Sequence, residues 1–183
     1  RNAIPTVTGI NILDKEGYSL GNITEVTEGR DIVVNVLAED PEVGVDSAVL
    51  YQAVNAVGDT PVFERVSEDI TLPFQFHLTV PVNRAGEVLR FQAEVTDIDG
   101  YKSDRSFTLE LSIAEDQPPS VEIIKPANDA SAIIDGQDIE VFVEAIDDLG
   151  RGGIDRVVFY VNDVPAFTAF DNYTTTDGGF AQE

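Results

Sequence analysis

Hydrophobic and polar residues alternate along much of this chain with a period of two. Residues 32–39 place Ile32, Val34, Val36 and Ala38 on one face and Val33, Asn35, Leu37 and Glu39 on the other. Residues 74–82 repeat the pattern, with Phe74, Phe76, Leu78, Val80 and Val82 inward and Gln75, His77, Thr79 and Pro81 outward. Leu89, Phe91, Ala93 and Val95 then stand against Arg90, Gln92 and Glu94, and Phe107, Leu109, Leu111 and Ile113 form a further inward stripe. This is the period of a β-strand with one buried face. Residues 6–13 and 47–54 also read as extended, and turns carrying Gly, Asp or Pro fall at roughly ten-residue spacing. No helical stripe of convincing length occurs.

The pattern occurs twice. Residues 28–40 (EGRDIVVNVLAED) align with residues 135–147 (DGQDIEVFVEAID), matching Gly29 with Gly136, Asp31 with Asp138, Ile32 with Ile139, Val34 with Val141, Val36 with Val143, Ala38 with Ala145 and Asp40 with Asp147, an offset of 107. After an acidic loop the offset becomes 109, pairing Asp46 with Asp155, Val49 with Val158 and Tyr51 with Tyr160. A domain-length repeat whose length change is confined to a loop implies two copies of one module. The predicted fold is all-β, with tandem immunoglobulin-like β-sandwiches. Module one spans residues 1–116, a Pro-stiffened linker residues 117–119, and module two residues 120–183. The second is incomplete as given, because counterparts of residues 74–82, 89–95 and 107–113 are not found in it. The expectation is that the polypeptide continues beyond Glu183 or that another chain completes the module.

Residues 118–163 carry a Pro before the first strand, I-x-x-P closing it, Gly before the second strand, an acidic A-x-D loop after it and V-x-F-Y-V-N in the third. Residues 93–100 of the first module add A-E-V-T-D-x-D-G. Together these resemble the bacterial immunoglobulin-like repeat found in tandem in secreted and cell-surface proteins. The first module departs from the pattern in its long segment 14–29 and in its Pro41 loop. The resemblance implies an extracellular or cell-surface location. It specifies a fold strongly and an activity weakly, since such repeats serve as spacers, adhesive units and accessory modules of enzymes.

Composition narrows the chemistry. With 34 Asp+Glu against 11 Lys+Arg, the 183-residue chain has a formal net charge of -23. That argues against nucleic acid and anionic membranes and leaves cations as natural counter-species. No apolar run approaches the roughly 20 residues a membrane-spanning helix needs. The chain has no Cys, which removes disulfides, thiolate catalysis and Cys-based zinc sites. The lone His77 sits on an outward strand face, without the company that a triad or zinc site requires. Paired carboxylates suited to glycoside hydrolysis come without an aromatic sugar cleft. The segments at 150–153 and 177–179 lack the strand-to-helix context and the Lys of a phosphate loop and read as turns. Asn22-Ile23-Thr24 and Asn172-Tyr173-Thr174 fit a glycosylation acceptor, a short pattern.

The candidate chemistry is calcium binding, because clustered carboxylates in short loops supply the oxygen ligands a hard cation takes. The sandwich topology predicts two clusters. Asp40, Asp97 and Asp99, with Glu39, gather at one pole of module one. Glu115 and Asp116 approach Asp147 and Asp148 at the joint, a geometry resembling the calcium-stiffened joints between cadherin repeats, although the cadherin motifs are not matched. Asn83 and Glu87 could add oxygens at the lower pole. The competing reading is that Asp in these loops makes Asx-turns and a soluble surface. The functional expectation is a non-catalytic spacer of a larger bacterial adhesin, stalk or filament, with further modules or a partner chain beside it. The alternative is a carbohydrate- or protein-binding accessory module of a secreted enzyme or toxin.

Overall fold

The computed structural model describes residues 3–126, 136, 138, 140–150, 153–170 and 180–181. All its regular elements are strands, and the chain divides into two compact units, Arg1–Glu115 and Asp116–Glu183.

The first unit is a two-layer sandwich. Strands β1 (Thr6–Asp14), β3 (Asp31–Glu39) and β6 (Phe74–Thr79) form one sheet in the order β1-β3-β6. Strands β2 (Glu25–Thr27), β4 (Val45–Asn55), β5 (Glu64–Asp69), β7 (Val88–Asp97) and β8 (Leu109–Ala114) form the other, in the order β2-β8-β7-β4-β5. Period-2 alternation faces the two sheets toward each other. Ile10, Ile12, Ile32, Val34, Val36, Phe74 and Phe76 meet Leu50, Leu89, Phe91, Val95, Leu111 and Ile113 in one continuous core. The long segment after β1 has a structural purpose. Asp14 Oδ1 accepts the amides of Glu16 and Tyr18 (3.0 and 2.9 Å), Gly17 supplies a positive φ, and the turned chain crosses to the other sheet. There β2 pairs in parallel with β8, Glu25 opposite Ser112, Val26 opposite Ile113 and Thr27 opposite Ala114.

Four assignments from alternation change. Val33, placed on the outer face with Asn35 and Leu37, is 1% exposed. Val82 is 60% exposed because β6 stops at Thr79; Val80 donates its amide to Arg30, and Asn83 takes a left-handed φ of 57°. Phe107 is 55% exposed because β8 starts only at Leu109. Arg90 alternates outward but is buried, its Nε donating to Glu110 Oε1 (2.7 Å) and its Nη1 to Asn55 Oδ1 (2.8 Å). A guanidinium leaves water at tolerable cost only when its donors are matched in this way. On the sheet edge, β5 pairs only with β4 among the described residues, and Glu64, Arg65, Glu68 and Asp69 make four of its six residues charged.

The second unit contains β9 (Ser120–Lys125), β10 (Phe142–Ile146), β11 (Val157–Val161), β12 (Val164–Ala169) and β13 (Phe180–Ala181). Its three-stranded sheet has β10 between β9 and β13, as β3 lies between β1 and β6, and β11 pairs with β12 as β4 pairs with β5. The two-residue β13 occupies the edge of this sheet that β6 occupies in the first unit, with Phe180 opposite Ala145 and Ala181 opposite Glu144. Val143, Ala145, Val157 and Ala169 form a small core, and the Phe159 and Phe167 rings sit beside it at 6.1 Å between centroids. Matched positions differ in cover. Ile10 opposite Val36 is 6% exposed, whereas Ile123 opposite Val143, the repeat partner of Val36, is 61% exposed. Asp135 and Ile139 of the repeat, Asn172 and the turn at 177–179 lie outside the described residues.

Candidate cation site

Both units open their acidic loop with the same device. Asp40, at the end of β3, accepts the amides of Glu42 (2.8 Å), Val43 (2.8 Å) and Gly44 (3.3 Å) on Oδ1. Asp147, its repeat partner after β10, accepts the amide of Leu149 on Oδ1 at 2.8 Å, and the Asp147 carbonyl receives Gly150 N–H at 3.1 Å. These are Asx-turns, in which a carboxylate substitutes for a backbone acceptor and closes a short loop. The Val43 amide, followed by that of Glu42, holds the Asp40 carboxyl below its ordinary value of 3.8, partly opposed by desolvation.

In the second unit the loop gathers a carboxylate group. Oxygens of Asp116, Asp147 and Asp148 all lie within 4.8 Å of one another. Asp147 is 7% exposed, Asp116 is exposed, and Asp148 Oδ2 accepts the amide of Gln117 at 3.1 Å. Gly153 folds back over the loop, its amide donating to the Gly150 carbonyl at 3.1 Å. Its missing side chain matters: a Cβ there would overlap the Asp147 carboxylate, with Cγ only 2.8 Å away. Donors of this kind fit a hard divalent cation. An ion with oxygen ligands at about 2.4 Å holds opposite ligands about 4.8 Å apart. Glu115, the last residue of the first unit, is not a member of the group.

The first-unit carboxylates are arranged differently. The Asp40 loop and the 97–101 turn are neighbours, since Ile98 donates its amide to the Gly44 carbonyl at 3.2 Å. Asp97 is 1% exposed and accepts Tyr101 N–H on Oδ1 at 2.8 Å, while Asp99 and Glu39 are exposed. Among the described residues, Asp40, Asp97 and Asp99 do not converge as the Asp116 group does. At the lower pole Glu87 is paired with Arg84 at 2.9 Å, and Asn83 turns the chain. His77 is exposed in β6, and Asn22 of the first glycosylation pattern is exposed as well.

Sequence reasoning missed one concavity. An open cleft of about 410 Å³ lies beside β4 and is lined by Gln52, Asn55, Thr60, Val62, Glu64 and Arg84 among others. Its walls come from the end of β4, the start of β5, the loop between them and the turn after β6, and the loop and turn carry no period. No period-based signal could have found it.

Among the described residues no helix is long and apolar enough to cross a membrane. No curated protein and no solved structure gives a significant match to the chain. Domains of the bacterial immunoglobulin-like type are generally non-catalytic and typically extracellular or surface-associated. The family model described as "Bacterial Ig domain" matches residues 119–180, and over that stretch, which covers most of the second unit, the chain resembles bacterial immunoglobulin-like domains.

Proposed function

We propose that this chain is a non-catalytic spacer segment of a larger secreted or cell-surface bacterial protein, an adhesin, stalk or filament, set beside further modules of its kind. The observation that carries the reading is the recurrence of one design: β9-β10-β13 and β11-β12 repeat the pairing of β1-β3-β6 and β4-β5, and residues 119–180 resemble a bacterial Ig domain. Repeated sandwiches with acidic surfaces build length and solubility rather than chemistry. An antibody raised against the first unit should label intact cells of the source organism. Labelling that requires permeabilised cells would remove the surface assignment.

The same proposal includes calcium on Asp116, Asp147 and Asp148. Three carboxylates with oxygens within 4.8 Å of one another repel, and a divalent cation between them reverses the sign of that interaction. Calorimetric titration of the whole chain with calcium should show binding that falls about tenfold or more in the Asp116→Asn and Asp148→Asn variants. Absence of heat and of any thermal shift at millimolar calcium would eliminate the site.

The cleft beside β4 supports the second reading, an accessory module that binds carbohydrate or protein. Its lining amides, hydroxyl, carboxylate and guanidinium, together with Val62, suit a polar ligand with an apolar edge. Glycan-array binding lost on Arg84→Ala would favour this reading over the spacer.

A further inference from the structure

The free edge of β6 differs from that of β5. β5 is charged at four of its six residues, whereas β6 (FQFHLT) carries no Asp, Glu, Lys or Arg and, among the described residues, pairs only with β3. The orientation of its backbone follows from Val80, which donates its amide to the Arg30 carbonyl at 2.9 Å and accepts that of Gly29 at 2.9 Å. In an antiparallel ladder, residues turned toward the partner strand alternate with residues turned away from it. Phe74, Phe76 and Leu78 therefore share the orientation of Val80, toward β3, while Gln75, His77 and Thr79 direct N–H and C=O to the free edge. Asp69 Oδ2 takes the Gln75 amide at 2.9 Å, which laces the end of β5 to the start of β6. At the far ends of the two strands the corner of the sandwich opens. Glu64, where β5 begins, and Pro81 and Arg84, just beyond β6, line the cleft of about 410 Å³. The edge offered by His77 and Thr79 thus runs into that cleft.

We infer that this corner binds a partner protein by strand addition, taking an extended, Lys- or Arg-bearing segment antiparallel to β6 with its N-terminal part in the cleft. The partner class rests on the accessory-module reading of the same cleft. His77 and Thr79 each present a donor and an acceptor to the incoming backbone. Main-chain pairing of this kind gives affinity without dictating sequence, and pockets for alternate side chains supply the specificity. Val54 and Val62 in the cleft suit apolar side chains on the inward face of the segment. Charge selects the rest. The chain carries -23, Glu64 is exposed, and Arg84, the other charged lining residue, is already paired with Glu87 at 2.9 Å. A second copy of the chain, bearing the same charge, is repelled. None of the lining residues is aromatic, so a sugar ring finds no flat face to stack on.

The probe is a fluorescent peptide of about nine residues in which valine alternates with lysine or threonine, titrated with the full chain and followed by anisotropy. With valine facing inward, the lysine and threonine residues stand opposite His77 and Thr79, and their amides face β6. N-methylation of those amides should weaken binding about tenfold or more, whereas N-methylation of the valine amides should leave it within about twofold. Diffuse charge attraction would respond to both patterns alike. Replacing the lysines by glutamate should also weaken binding about tenfold. In the chain, His77→Pro removes one outward donor and spares the pairing with β3, a change that an edge strand tolerates, and should weaken binding of the parent peptide about tenfold. No binding at millimolar peptide, equal effects of the two methylation patterns, or unchanged affinity in a folded His77→Pro chain would overturn the inference. Glycan-array binding without peptide binding would overturn it as well, while leaving the accessory-module reading in place.

Discussion

Replacing Ile10 and Ile123 by Ala, one at a time, weighs the two copies of the module against each other. The residues occupy equivalent register positions, opposite Val36 and Val143, but Ile10 is 6% exposed and Ile123 61%. Burying an isoleucine side chain is worth about 1.5–3 kcal/mol by transfer from water, and emptying a packed site adds a cavity cost. Ile10→Ala should therefore cost the first unit about 3 kcal/mol. For a unit of this size that is a fall in melting temperature of roughly 12 °C, at about 4 °C per kcal/mol. At Ile123 most of the side chain is already in water and no closed cavity is left behind, so the cost should be about 1 kcal/mol or less. Hydrogen exchange read peptide by peptide by mass spectrometry along a urea series separates the units, with β3 and β7 reporting the first and β10 and β11 the second. Equal costs, or a larger cost at Ile123, would show that the face bearing Ile123 is covered in solution and would refute the reasoning from exposure.

Three further outcomes are expected. Gly153→Ala should drive a methyl into the Asp147 carboxylate, costing about 1–3 kcal/mol of overpacking strain in the second unit and weakening any calcium binding seen by calorimetry. Asp40→Asn should destabilise the first unit at neutral pH. Because the folded Asp40 carboxyl lies below 3.8, its contribution is complete above that value and disappears as pH falls through the lower folded value, so urea midpoints of variant and parent should converge in acid. Glu110→Gln should cost about 1 kcal/mol, since Glu110 itself is 57% exposed, whereas Arg90→Ala should cost about 2–4 kcal/mol by also emptying a buried site; both are read as urea midpoints.

Alternation found the centres of the strands and misjudged their ends. Phe74, Phe76, Leu89, Phe91, Ala93 and Val95 are all buried as the period requires. Val82 and Phe107 are not, because a period assigns faces without saying where hydrogen bonding stops. Arg90 reads as an outward polar residue, yet its burial depends on Glu110 from β8 and Asn55 at the end of β4, partners brought together only by the sheet order. β2, at three residues, is too short for any periodic signal, and β5 hides its pairing behind charge. The candidate site was legible where the repeat supplied a register: matching Asp147 to Asp40 marked the acidic loop, and Asp148 and Asp116 stand with it in the structure. The sequence could not distinguish a carboxylate closing its own turn, such as Asp97, from one facing its neighbours, because both are Asp in a short loop.

The charged strand β5 determines how such molecules behave in a crowd. An edge strand offers unused backbone donors and acceptors, a template on which a neighbouring chain can grow into the sheet. Glu64, Arg65, Glu68 and Asp69 obstruct that growth, because an incoming strand would have to strip water from them and accept like charges at close range. Copies carrying this edge can stand close together and remain separate molecules, so that concentration can rise without the chains fusing into a continuous sheet.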